Sequence, residues 1–275
     1  MHVFRHERAV KVALGIEYDG AAFHGYQLQR NAASVQEALE AAIGQVAATP
    51  VRITAAGRTD TGVHATGQVV AFDAPVARPL SAWQRGVNAL TPEAVKVVWA
   101  RVVDGAFHAR YSAVSRRYQY LFYEADSPSP LLRGRAVQVR KLDDEGMHRA
   151  AQSLLGEHDF SGFRGAGCQS ASPFRCVHRI AVHRANNLVI LDVTANAFLL
   201  HMVRNIAGVL QQVGEGVRAP GWVSGILAGR DRTIAGRTAP PEGLYLVAVH
   251  YPGYDFPEAE PPGLLRALGG LDRFG

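Results

Sequence analysis

Strand-type and helix-type patterns alternate along this 275-residue chain in one order that occurs twice, and few architectures accept such an order. "VKVALGIEYDG" (10–20) is β-rich and closes on Asp19-Gly20. Ser34 and Glu37 then form a capping box, in which a hydroxyl and a carboxylate each satisfy a free N–H at a helix start. Val35, Ala38, Leu39, Ala42, Ile43 and Val46 follow as one apolar stripe at helical spacing. "VRITAAG" (51–57) and "TGQVVAFDA" (66–74) read as strands, "SAWQRGVNAL" (81–90) as a short helix and "VKVVWARVV" (95–103) as a strand. The second pass runs "SRRYQYLFYEA" (115–125, strand), "DDEGMHRAAQSLLGEHDF" (143–160, helix with an acidic first turn) and "RIAVHRANNLVILDVTANAF" (179–198, hairpin turning at Asn186-Asn187). "LLHMVRNIAGVLQQVG" (199–214, helix) and "GLYLVAVHY" (243–251, strand) complete it. The expectation is an α+β fold of two similar β-α-β-β-α-β halves, a duplicated split-βαβ architecture resting on element order alone. The halves are placed at 1–106 and 107–252, with "DGAFHARYSA" (104–113) at the crossover. A tail, 253–275, is expected to be loosely attached, its "PPGLLRALGG" piece either a short packed turn or disordered.

Composition narrows the function classes. Hydrophobic residues make up 48%, enough for a full core, and the net charge is +5. Only three of the 29 basic residues are lysines (Lys11, Lys96, Lys141). Arginine forks phosphate bidentately and stacks on bases, which suits nucleic acid, although an arginine-rich composition produces the same count. Two cysteines, Cys168 and Cys176, are too few for a four-ligand zinc site or a disulfide framework and read as ordinary thiols. No run of 18 apolar residues and no signal-peptide core is present, so a soluble, cytoplasmic protein with no membrane partner is expected.

"AAGRTDTGVH" (55–64) places one acid, Asp60, among Gly, Thr, Arg and His between two strands. An Asx-turn aspartate at a hairpin tip accounts for the pattern. So does an acid presented for chemistry on a loop held by a rigid sheet. Asp60-Thr61-Gly62 also matches the aspartic-protease triplet, but that chemistry needs a second carboxylate sharing a proton, and no second D-T-G or D-S-G occurs. Arg58, two residues before the acid, favours its ionised form and works against proton sharing.

"AAGRTDTGVHATGQVVAFD" resembles the catalytic loop of the tRNA pseudouridine synthase A family. "GAFHARYSAVSRRYQYLFY", "GEHDFSGFRGAGCQS", "NAFLLHMVRNIAGVL" and "PPEGLYLVAVHYP" resemble further blocks of that family, in its order, from about residue 10 to 252. The resemblance implies a mixed, mainly antiparallel central sheet and isomerisation of uridine to pseudouridine at positions 38, 39 and 40 of the tRNA anticodon stem-loop. It implies a homodimer and no cofactor. Asp60 is then the essential acid and Arg58 the residue that holds the flipped-out nucleotide. Arg204 pairs with the acid; on an otherwise apolar helix, an inward charge needs a partner. Tyr118 stacks on the uracil and is a candidate acceptor of its C5 proton, while Tyr120 fits a core aromatic better. Leu246 supplies the apolar floor. RNA contacts fall on Arg78, on Phe107, His108, Ala109, Arg110 and Tyr111, and on Cys168, Gln169, Ser170, Ala171 and Ser172, beside Arg164 and Arg175. Each arginine taken singly also reads as a solvated surface charge. A non-catalytic RNA-binding protein is the alternative and requires a defect at Asp60, Arg58, Tyr118 or Arg204; none is visible. A uridine methyltransferase would need a cofactor loop and a suitably placed cysteine, which the sequence does not offer.

Overall fold

A computed structural model describes residues 10–267. Residues 1–9, read above for a signal peptide, and the last part of the tail lie outside the described residues.

In the first half, strand β1 (Val10–Tyr18) precedes helix α1 (Val35–Ala47), which starts where the capping box places it: Ser34 Oγ accepts the Glu37 N–H at 3.2 Å. Strands β2 (Thr54–Ala55) and β3 (His64–Ala74) follow. A π-turn (Ala82–Gly86) leads into α2 (Val87–Leu90), and β4 (Val95–Val103) ends the half. The strand expected over 51–57 shrinks to two residues. Side chains take the place of ladder bonds at both ends: the Gln68 amide donates to Gly57 O at 2.7 Å and its carbonyl accepts from Gly57 N at 3.4 Å, and Glu40 Oε1 accepts from Ile53 N at 3.2 Å.

The second half holds β5 (Ser115–Glu124), β6 (Val137–Val139), α3 (Asp144–Ala151), β7 (Gly156–Asp159), β8 (Phe174–Ala185), β9 (Leu188–Ala195), α4 (Met202–Gly214), α5 (Gly221–Gly229) and β10 (Leu244–His250). The helix expected over 143–160 stops at Ala151. Gly156, at φ +91°, turns the chain, and residues 156–159 pair antiparallel with β8 instead. β6 and α5 were not anticipated. The β8–β9 hairpin turns at Asn186-Asn187 as expected, with Asn186 at φ +53°.

All ten strands form one sheet, with the main path β4-β1-β3-β10-β5-β9-β8-β7 and β2 and β6 attached to β3 and β5. Among the described residues only β3–β10 and β5–β6 pair in parallel, so the sheet is mixed and mainly antiparallel. The strands of the first part of the chain join the rest at the β3–β10 seam, where the two strands meet over two register pairs, His64–Tyr245 and Ala65–Leu246. One face packs against the helices in the main core, which includes Leu14, Leu39, Phe122 and Ile206. The other face is covered in two patches. Trp99, Phe107 and Tyr251 form one, and Leu121, Ile190 and Tyr245 the other.

The tail is not loosely attached as far as it is described. Phe256 stacks on Trp99 with ring centres 4.7 Å apart, and Leu265 of α6 (Gly263–Ala267) is buried against the second patch. Both rings and a leucine shed water by closing over an otherwise open apolar sheet face. No helix among the described residues is long and apolar enough to cross a membrane.

Candidate active site

Asp60 sits midway along the segment linking β2 to β3. Hydrogen bonds fasten that segment along its length. Gln68 holds Gly57; Tyr18 Oη lies 2.8 Å from Thr59 Oγ1; Tyr26 N donates to Thr59 O at 3.0 Å; Val63 N donates to Asp60 O at 3.1 Å. Gly62, at φ +81°, supplies the turn that a side chain would strain. Thr59 is therefore buried, and Asp60 is left turned toward open space with its side chain 30% exposed.

Helix α4 brings the second charge. Arg204 is its third residue, and the neighbouring Met202, Val203 and Ile206 are buried in the core. The guanidinium donates from Nε to Ala239 O at 2.9 Å and from Nη1 to Asp60 Oδ2 at 3.2 Å. The partner expected for an inward-facing charge on this helix is the one the fold supplies. His201, just before the helix, places Nε2 3.3 Å from the same Oδ2. It was not among the expected site residues. Its signal in the sequence was only its spacing of three from Arg204, which puts both on one side of a helix start. Arg58 is exposed and makes no ion pair among the described residues, so Asp60 is flanked by a guanidinium and an imidazole rather than by two guanidinium groups.

Tyr118 comes from β5, where alternation sends Tyr118, Tyr120 and Phe122 to one face. Tyr120 belongs to the core, donating from Oη to Pro240 O at 2.8 Å. Tyr118 reaches the cleft, packed edge-on against Phe198. Burial raises its hydroxyl well above the usual tyrosine range, the negative field of Tyr18 and Asp60 adds to this, and Arg116 opposes it, so the phenol is neutral.

These groups line a cleft of about 970 Å³, into which Arg58, Arg110, Arg116, Arg175 and Arg204 also turn. A second cleft of about 750 Å³ adjoins it and shares Arg58, Asp60, His201 and Arg204. Asp60 is the single carboxylate lining either one. The proton-sharing pair of an aspartic protease is therefore missing from these two clefts.

The remaining expected contacts divide. His108, Arg110 and Tyr111 line the larger cleft; the guanidinium of Arg110 lies over the Tyr111 ring at 5.5 Å. Phe107 and Ala109 point the other way and are buried in the rear patch, so their side chains offer nothing to a ligand. Arg116, unremarked in the sequence, locks this crossover by donating to the carbonyls of Ala56, Arg110, Ala113 and Asn196. Gln169 and Ser170 line the larger cleft and Cys168 the smaller; Ala171 and Ser172 are exposed outside both. Arg164 holds that loop by donating to Cys168 O at 2.5 Å and Ser170 O at 2.8 Å. Burial pushes the Cys168 thiol up, but hydrogen bonds from the Leu200 and Ser170 backbone and the Arg164 charge outweigh it and leave the thiol below its ordinary range. Arg78 lies at the end of α1, donating to Val46 O at 3.3 Å, and lines neither cleft. Leu246 corrects an expectation. It pairs with Tyr118 across β10–β5 and is fully buried, whereas Leu244, two residues nearer the strand's start on the same face, lines the cleft.

The cleft holds a lone carboxylate among arginines on a mixed sheet, and comparison with known proteins gives the family. The family described as tRNA pseudouridine synthase matches residues 15–112 and 150–252. The chain is 52% identical over 244 residues to the tRNA pseudouridine synthase A of Tolumonas auensis, covering 88% of this chain and 94% of that one. It is 49% identical over 243 residues to that of Coxiella burnetii (88% and 93%) and 50% identical over 250 residues to that of Shigella boydii (90% and 93%). The chain belongs to the tRNA pseudouridine synthase family.

Proposed function

We propose that this protein isomerises uridine to pseudouridine in tRNA, at positions 38, 39 and 40 on the 3′ side of the anticodon stem-loop. The observation that carries the reading is the position of Asp60: one carboxylate, anchored by Arg204, opening on both clefts beside a neutral buried tyrosine. The reaction breaks the N1–C1′ bond, turns the uracil, joins C5 to C1′ and moves one proton from C5 to N1. Nothing is oxidised or reduced, so no cofactor is needed. A carboxylate that bonds carbon reversibly supplies the chemistry.

A uridine in a stem reaches Asp60 only after extrusion, at a cost of about a few kcal/mol. Stacking on Tyr118 returns roughly 1–3 kcal/mol, and phosphate contacts from the arginines that line the cleft supply the rest. In this reading the halves 1–106 and 107–252 divide the labour: the first carries Asp60 and Arg58, the second Tyr118 and Arg204. Treating neighbouring uridines alike requires reading backbone and shape rather than base sequence. A cytoplasmic homodimer, with one tRNA contacting both subunits, is part of the same proposal.

The test is incubation with unmodified tRNA followed by carbodiimide-dependent primer-extension stops. Stops at 38–40 are expected with the native protein and none with Asp60→Ala, whose tRNA affinity stays close to native. Conversion by Asp60→Ala sinks the assignment.

A further inference from the structure

His201 stands in an unusual place for a side chain. Its backbone is left-handed, φ +59° and ψ 4°, a region where residues other than glycine are uncommon. It caps no helix N–H with its side chain, so capping does not explain it. What the conformation does achieve is to turn the imidazole back over the catalytic segment. Gly165 lies against the ring's other edge: a Cβ there would fall 2.9 Å from Nδ1 and 3.0 Å from Cγ. The ring is thus backed on its Nδ1 side, with Nε2 facing Asp60 at 3.3 Å.

Two side chains meet the same carboxylate oxygen. Arg204 Nη1 and His201 Nε2 address Oδ2, and among the described residues no hydrogen bond reaches Oδ1. A carboxylate with one oxygen hydrogen-bonded to a guanidinium and in contact with an imidazole has its rotation restricted and its second oxygen left without a donor among the described residues. An attacking group gains most from being fixed in orientation before substrate arrives. We propose that His201 is a positioning residue that, with Arg204, pins Oδ2 of Asp60 and so selects Oδ1 as the oxygen presented to the substrate. The contact is slightly long, as such contacts are before a substrate closes the site. This inference rests on the synthase reading for its kinetics but not for its geometry.

The test is single-turnover conversion of unmodified tRNA at saturating protein. His201→Gly suits the left-handed backbone better than histidine and removes only the ring. Its expected rate is about 10- to 100-fold below native with tRNA affinity unchanged, the size of effect that misplaced reacting groups produce. His201→Asn, which tolerates the same backbone and keeps an N–H donor, recovers part of the loss. Gly165→Ala, which crowds the ring from behind and also meets the Leu200 carbonyl oxygen at 2.9 Å, slows conversion too, and adding it to His201→Gly removes only the ring's share of that cost, so the double variant falls short of the sum of the two losses. A native rate in His201→Gly overturns the proposal, as does a loss confined to tRNA affinity. If the native protein converts no uridine, the functional reading falls instead. The positioning claim is then decided by crystallography: Asp60 loses its single orientation in His201→Gly, or the claim is wrong.

Discussion

The two oxygens of Asp60 have different surroundings, and the side chains around them are not interchangeable with chemical cousins. Arg204 spans two acceptors at once, Ala239 O and Asp60 Oδ2. A lysine has a single nitrogen at its tip and cannot reach both in that fixed fork. Arg204→Lys is expected to lower single-turnover conversion by about 100-fold, although the charge is kept. A native rate would show that charge alone is enough. Tyr118 offers a cleaner removal. Its hydroxyl is buried and neutral, and Phe fills the same volume, so Tyr118→Phe should alter stability by no more than about 1 kcal/mol. If the hydroxyl takes the C5 proton, conversion falls about 100-fold or more. Urea unfolding and the conversion assay separate the two effects.

Strands and loops deliver these residues through a few close approaches. At the β3–β10 seam a Cβ on Gly67 would lie 2.2 Å from the Val247 carbonyl oxygen. That neighbour is backbone and cannot rotate away. Gly67→Ala is expected to cost about 1–3 kcal/mol in urea unfolding and to lower activity, because Asp60 and Tyr118 sit on opposite sides of this seam. Most elements were legible because periodicity, capping and turn chemistry are local: α1 begins at its capping box, and the β8–β9 turn falls at Asn186-Asn187. The misread elements share a cause. β2 is cut short by side chains eleven and thirteen residues away, and 156–159 become a strand only because β8 offers a free edge. None of these partners is visible to a local pattern.

The whole molecule is closed by its last described segment, which crosses the rear of the sheet, with Phe256 on Trp99 and Leu265 in the patch of Leu121. A chain ending at Pro252 loses the Tyr254, Phe256 and Leu265 contacts and is expected to be less stable by about 3 kcal/mol, measured by urea unfolding. Acid acts on the molecule as a whole. Burial holds His64 and His183 below the ordinary histidine range, against the pull of Asp19 and Asp192. The unfolded chain takes up these protons near pH 6.5 and the folded chain does not, so stability falls as pH drops below about 6.5. Asp19 and Glu124 act at lower pH. Burial raises both, but hydrogen bonds from Arg135 and Arg184 more than offset it, so their contribution is lost only as carboxylates protonate, below about pH 4. Melting temperatures should decline in two stages on acidification, and His64→Gln should shallow the first. A flat profile down to pH 5 would contradict the buried, neutral histidines.

Reading residues in order was enough to establish the alternation of elements and the loop that carries Asp60, while the pairing of Arg204 with the acid and the choice of Tyr118 over Tyr120, which share one strand face, were implied by the family resemblance. The first two depend on spacing within one segment, where backbone geometry dictates which side chains share a face. The choice of Leu244 over Leu246, the burial of Phe107 and Ala109, the withdrawal of Arg78 and the arrival of His201 beside Asp60 required the folded chain. They join residues more than 140 positions apart, and a left-handed backbone at one histidine decides where its ring points. Such approaches are set by how elements pack, which no run of neighbouring residues encodes.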